Sequence, residues 1–257
     1  MAQTVRSLLG AQRDSGVAWC AMVENVQFAV ASGRSGSGIL DTPSGAGAAA
    51  GLVLVHEWWG INGHVRDLAG RFAKAGFLTL APDLYDGKIA KTAEEAGSLM
   101  QALDWSDAVA RLAGAVSHLR SHRACNGRVG MVGFCMGGAL TFAAACNVEG
   151  LGAAVPFYGV PAAPWNDWRK VRAPIQAHFS THDTWAKASA ARDIQRTLAD
   201  LGREMELYVY DAQHAFMNDT RKDVYDAKSA EVAWGRAVAF LSRHLVAAEA
   251  TPDTKRS

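Results

Sequence analysis

The chain lacks long apolar runs, blocks of one charge and paired cysteines, and each absence removes a class of function. No stretch approaches the roughly 20 apolar residues of a membrane-spanning helix, so no membrane partner is expected. Lys and Arg total 26 against 25 Asp and Glu, a formal net charge of +1. With no basic block on that balanced background, there is no field to gather phosphates, and nucleic acid is not an expected partner. The four cysteines, Cys20, Cys125, Cys135 and Cys146, show no CxxC spacing, which argues against a disulfide framework. A chain of 257 residues needs no covalent staples, so reduced thiols in a cytoplasm are the expectation. The segment Met1 to Gly16 carries two arginines and an apolar patch of Val5, Leu8 and Leu9, too short for the core of a secretory signal.

What is present suits one domain. A hydrophobic fraction of 49% is enough for a sizeable core, and no composition shift marks a boundary. An N-terminal arm, 1–24, and a polar tail, 248–257, lack sustained apolar periodicity and flank a domain over 25–247. Val26 to Val30 and Gly38 to Asp41 read as strands of a hairpin around Ser32 to Ser37. Leu52 to Val55 is unbroken apolar sequence, as in a strand buried on both faces. Val65, Leu68, Ala69, Phe72 and Ala73 recur at helical spacing, and Gly76 is placed to end that helix in the left-handed conformation. The strand Phe77 to Ala81 follows. Thr92 with Glu95 reads as a capping box and Asp104 as the cap of a helix running toward Arg120. Further strands are predicted at Val129 to Phe134, Ala153 to Tyr158, Ile175 to Ser180 and Glu204 to Tyr210, with helices at Lys187 to Leu201 and Ser229 to Val246. This alternation predicts an α/β fold: a mostly parallel sheet covered by helices on both faces, with functional loops at the strands' carboxyl ends.

The chemically informative segment is Gly130 to Gly138, reading strand, sharp turn, helix. A nucleophile at such a turn needs small neighbours, because side chains two residues either way would collide. Gly133 and Gly137 meet that need around Cys135, so the segment has the form G-x-C-x-G, a G-x-S-x-G elbow with Cys in place of Ser. The Met136 amide, opening the next helix, is an oxyanion donor by position. Asp183 follows one later strand and His214 the last, the order in which such folds supply a nucleophile, an orienting acid and a base. As a plain buried residue, Cys135 would need neither partner.

Gly133-Phe134-Cys135-Met136-Gly137-Gly138, His56-Glu57-Trp58-Trp59-Gly60, Ala81-Pro82-Asp83-Leu84-Tyr85 and His214-Ala215-Phe216 together resemble the dienelactone hydrolase family over about Val26 to Leu245. The resemblance implies an α/β-hydrolase fold, cleavage of an ester or lactone, a triad of Cys135, Asp183 and His214, and no metal or organic cofactor. It also implies that Glu57 holds the cysteine in the resting enzyme and releases it as a thiolate on substrate binding. The amide of Trp58, on the loop after the strand beside the elbow, is the second oxyanion donor by position. The family's substrate-carboxylate arginines are not matched. One comes four residues after the histidine, where this chain has Asn218, and the segment after Tyr85 holds Lys88 and Lys91 but no arginine. Neither Asn nor a mobile Lys reproduces a bidentate guanidinium fork. Arg221 offers a cationic contact if it reaches the pocket, but followed by Lys222 it reads as a solvated surface residue.

Trp59, Tyr85, Phe134, Tyr158, Trp185 and Phe216 are candidates for the wall of a small-molecule pocket. His118 and His122 share a helical face but lack a third ligand, and His178 and His182 straddle a strand end; none is assigned to a metal. An acyltransferase using the same acyl-enzyme and a non-catalytic thiol-sensing module are the alternatives, and a complete triad weighs against the second. The expected state is a monomer or small homo-oligomer.

Overall fold

The computed structural model describes residues 23–246 apart from Ser32 and Ala46. Most of the arm and all of the tail foreseen at the two ends lie outside the described residues; Val23 and Glu24, assigned to the arm, begin the first strand. The strands are β1 (Val23–Ala29), β2 (Ser35–Asp41), β3 (Ala49–Val55), β4 (Phe77–Pro82), β5 (Cys125–Phe134), β6 (Ala153–Phe157), β7 (Ile175–Ser180) and β8 (Met205–Tyr210). The helices are α1 (Gly63–Lys74), α2 (Ala93–Ala102), α3 (Trp105–Ser121), α4 (Met136–Asn147), α5 (Ala188–Asp200) and α6 (Ala227–Leu245). They build one eight-stranded sheet in the order β1-β2-β4-β3-β5-β6-β7-β8. The β1–β2 and β2–β4 pairs are antiparallel and every other pair is parallel.

The alternation of side chains along β3 shows why the sheet has two covered faces. Val53 and Val55 pack into a core with α3, α4 and α5, whereas Leu52 and Leu54 pack into a second core with α1 and α6. An apolar run on a strand serves both faces at once, because successive residues point opposite ways. The order in which successive strands are added reverses at β3: β4 lies on one side of it and β5 on the other. In open sheets a crevice forms at the carboxyl ends where this happens.

Local signals account for the helix ends. The Asn62 side chain accepts from the Val65 amide at 3.1 Å and opens α1, and Gly76 at φ 98° follows its last turn. Asp104 accepts from the amides of Ser106 and Asp107 at the start of α3. Thr92 caps α2 by accepting from Glu95, but Glu95 returns its carboxylate to Lys91, one residue earlier than a standard box. Several strands start earlier than expected, among them β2 and β5. β2 takes in Ser35 to Ser37, leaving a tight turn closed by Val30 and Arg34, and β5 begins at Cys125. Both extensions are polar or exposed, so they carry no apolar alternation to be read.

Four glycines let the sheet and α4 approach closely enough to form the turn after β5. A Cβ on Gly133 would overlap the Gly137 carbonyl, one on Gly137 the Val55 carbonyl, one on Gly138 the Phe157 carbonyl, and one on Gly159 the Cys135 carbonyl. Gly70, in the middle of α1, has open space instead. The expected outcome for Gly138→Ala is a loss of about 1–3 kcal/mol, the usual cost of overpacking. Gly70→Ala should gain roughly 0.5–1 kcal/mol from helix propensity. Denaturant unfolding of the two variants beside the parent checks the opposite signs.

Candidate active site

The turn between β5 and α4 places Cys135 at φ 55° and ψ −117°, outside the ordinary regions for a side chain-bearing residue. Its amide donates to the Phe157 carbonyl and its carbonyl accepts from Ala139, so the backbone is pinned on both sides. The side chain is left at the mouth of the crevice, at the amino end of α4, where unpaired helix amides favour a negative charge. The amides of Met136 and Trp58, which belong to α4 and to the loop after β3, have no protein acceptor among the described residues.

His214 and Asp183 come from the neighbouring carboxyl ends. The His214 Nδ1 lies 2.7 Å from Asp183 Oδ2, and Asp183 Oδ1 accepts from the amides of Trp185 at 2.7 Å and Ala186 at 2.9 Å. The Asp183 side chain is fully buried, so these bonds fix its orientation and through it that of the imidazole. Burial works against the His214 cation, but hydrogen bonds to Asp183 and Cys135, together with their charges, outweigh it and lift its pKa from 6.5 to about 10. Tyr158 packs edge-on against the same ring, with centroids 5.1 Å apart.

The segment after β3 turns at Gly60, φ 83°, and is tied down on both sides. The Ala90 amide donates to the Trp59 carbonyl, and His56 bridges the segment to the loop after β4. His56 Nε2 accepts from the Leu84 amide, which leaves Nδ1–H to donate to the Glu57 carbonyl at 2.6 Å. Burial holds this imidazole below its ordinary pKa, so it stays neutral and works as a tether. Glu57 is itself buried. Its Oε2 accepts from the Asn218 side chain at 2.8 Å, while Oε1 has no partner. Asn218 is in turn oriented by Thr220, whose hydroxyl and amide donate to its Oδ1.

A cleft of about 200 Å³ opens over Cys135, with Glu57 and His214 in its floor and Trp58, Trp59, Met100 and Trp185 along its walls. Trp59 and Trp185, named from the sequence, are in the wall. Phe134, Tyr158 and Phe216 are not: they are buried in the core behind it, Phe134 stacked on Phe157 and Tyr158 against Phe216. Tyr85 also turns inward, its hydroxyl on the Met136 sulfur. These four corrections share a cause, since an aromatic at a strand end is equally suited to the core and to a pocket. Arg221, read as a surface residue, lines the cleft instead.

The metal assignments declined from the sequence have a simple geometry. His118 and His122 sit with ring centroids 6.2 Å apart, and no group of metal-ligating side chains occurs among the described residues. His178 is buried between Gln176 and Tyr210, which holds it neutral with a pKa of about 3 through burial and the nearby Arg236 charge. His182 pairs with Asp211 at the surface.

The model of the dienelactone hydrolase family matches residues 37–245. The chain belongs to this family. It is 34% identical over 219 residues to a protein named usf from Aquifex pyrophilus, covering 81% of this chain and 93% of that one. A putative carboxymethylenebutenolidase of Aquifex aeolicus is 33% identical with the same coverage. Among solved structures, a putative dienelactone hydrolase from Klebsiella pneumoniae superposes with a TM-score of 0.77 at 24% identity, over 86% of this chain and 99% of that one. A dienelactone hydrolase-like promiscuous phosphotriesterase from metagenomic libraries gives the same TM-score at 20% identity, over 88% and 100%. The fold is the α/β-hydrolase fold, and the family's activity class is carboxylic ester hydrolysis.

Sequence reasoning missed Met100 and Ala215 in the cleft, the His56 tether and the inward turn of Asn218, and it set Arg221 aside in favour of the surface. Only the first had a signal: Met100 lies four residues after Ala96, the buried residue of α2. The rest depend on loop conformation, such as the left-handed Ala215 at φ 63°.

Two outcomes are expected here. Asn218→Ala leaves both oxygens of a buried carboxylate unpaired and should cost about 1–3 kcal/mol of stability, read by denaturant unfolding. The His214 pKa is higher folded than unfolded, so its stabilisation is complete below pH 6.5 and fades as pH rises through about 10. The unfolding-midpoint gap between the parent and His214→Gln should therefore narrow across that window.

Proposed function

We propose that this member of the dienelactone hydrolase family cleaves a carboxylic ester or lactone through a thioester on Cys135. The observation that carries the reading is the strained cysteine at the amino end of α4, sharing its cleft with a His214 that is paired to the buried Asp183. A structural cysteine needs neither the unfavourable backbone nor an imidazole oriented by a buried carboxylate.

In this mechanism the Cys135 thiolate attacks the carbonyl carbon, and the resulting oxyanion accepts hydrogen bonds from the Met136 and Trp58 amides. The His214 imidazolium gives its proton to the departing alkoxide or enolate, leaving a thioester and a neutral imidazole. That imidazole takes a proton from water, hydroxide adds to the thioester, and collapse expels the thiolate and frees the acid. Asp183 keeps the imidazole in the correct tautomer and supports its cation. Glu57, whose Oε1 is unpaired, is the acceptor for the thiol proton when substrate generates the nucleophile. No step calls for a metal or an organic cofactor.

Hydrolysis of dienelactone and of short p-nitrophenyl esters, followed with intact-mass detection of the acyl-enzyme, tests this reading. The expected result is an acyl adduct on Cys135, and a loss of kcat of at least roughly 1,000-fold in Cys135→Ser and His214→Ala. An adduct on another residue, or variants that match the parent, would refute it.

A further inference from the structure

Three features of the cleft bear on what it holds. Its volume of about 200 Å³ is close to that of the ~150 Å³ apolar cavities that hold one benzene ring. Its walls are mostly indole and thioether. Trp58 lies edge-on to Trp59 with centroids 5.3 Å apart, and edge-on to Trp185 at 6.1 Å. Trp185 is 74% exposed, which is unusual for the largest apolar side chain when it is contiguous with two more indoles at a concave site.

The position of Trp185 is built rather than incidental. Its amide donates to Asp183 Oδ1, so its backbone is fixed by the turn that orients His214. Its ring reaches across to Trp58, which carries an oxyanion amide. A flat group on this indole is therefore held between the two loops that would act on the scissile carbonyl.

The charges in the cleft do not welcome a second anion. Glu57 is buried there and Asp183 stands behind His214. Arg221 is the lone Lys or Arg in the lining, and its guanidinium already donates to Asp223 at 2.6 Å. Asn218 is spent on Glu57, and Lys88 faces a separate groove beside Asn25 and Gln27.

We propose that the substrate is an uncharged ester or lactone bearing one aromatic ring, which packs on Trp185 and Trp59, and that Trp185 determines this specificity. The assignment rests on Cys135 being the nucleophile. Stacking on an exposed indole rewards a flat ring over an alkyl chain, and the buried Glu57 carboxylate, with Arg221 paired to Asp223, disfavours a second carboxylate.

The test compares kcat/KM for phenyl acetate, 4-carboxyphenyl acetate and trifluoroethyl acetate. The parent should favour phenyl acetate over its carboxylated counterpart by roughly tenfold or more. Trp185→Ala should lower the phenyl ester about tenfold further than the trifluoroethyl ester, through KM, and Trp185→Phe should restore most of the loss. Equal losses on both esters would reduce Trp185 to a brace for Asp183 and overturn the proposal. So would a preference for the carboxylated ester that vanishes in Arg221→Gln. If no ester is hydrolysed, Cys135→Ala titrated with phenyl acetate and read by indole fluorescence decides separately. Saturation that disappears when Trp185→Ala is added supports the ring seat while the hydrolytic reading fails; no saturation removes both.

Discussion

The site depends on one backbone constraint, the turn that puts Cys135 at positive φ. A non-glycine residue in such a region costs on the order of 1–3 kcal/mol and persists only where its surroundings over-determine it. Here they do. The carbonyls of Val55, Phe157 and Cys135 itself approach Gly137, Gly138 and Gly159 within the space a Cβ would take. The same contacts bring the ends of β3, β5 and β6 against the first turn of α4, so the nucleophile candidate, its two candidate oxyanion amides and the floor of the cleft are positioned by one packing event. Enlarging any of these glycines would shift all of them together.

A second constraint holds the other side of the cleft. The loop after β3 is tied to the loop after β4 by the neutral His56, and to the segment after His214 by Asn218. That segment is anchored in turn on α1, where Arg71 pairs with both Asp67 and Asp219. The circuit runs from the helix that follows the oxyanion loop, through Asp219 and Asn218, back to Glu57 in the same loop. A neutral amide gives Glu57 direction with less electrostatic hold than a guanidinium would. The carboxylate is thus oriented on one oxygen and left unpaired on the other.

The sequence made some of this legible and hid the rest for definite reasons. The parallel sheet was readable because the Leu52–Val55 run of β3 is apolar on both faces and strands alternate with helices along the chain, and the elbow because glycine at Gly133 and Gly137 has no other economical explanation. Cys135, Asp183 and His214 were readable as candidates from their order at strand ends, and the structure brings them to one place. Which aromatics form the wall was not readable. Phe134, Tyr158 and Phe216 sit at strand ends just as Trp59 and Trp185 sit beside them, and only the direction of each side chain separates core from cleft. Arg221 shows the same limit in reverse, since the path of the chain after β8 brings a loop residue to the mouth of the site. Asn218 was noticed for the residue it is not, whereas its inward bond to Glu57 gives it a use of its own.

Under the proposed mechanism the buried Glu57 poses an electrostatic problem that the chemistry resolves. An oxyanion forming between the Trp58 and Met136 amides would develop beside a carboxylate in a poorly solvated cleft, where like charges repel far more strongly than in water. If Glu57 remained ionised, the amides would have to overcome that repulsion as well as stabilise the transition state. Accepting the thiol proton removes it: the event that makes Cys135 a nucleophile also neutralises the charge that would oppose the oxyanion. The unpaired Oε1 is where that proton would reside, and the Asn218 bond to Oε2 keeps the other oxygen engaged throughout. An activated thiolate and a receptive oxyanion site would then arise in the same step.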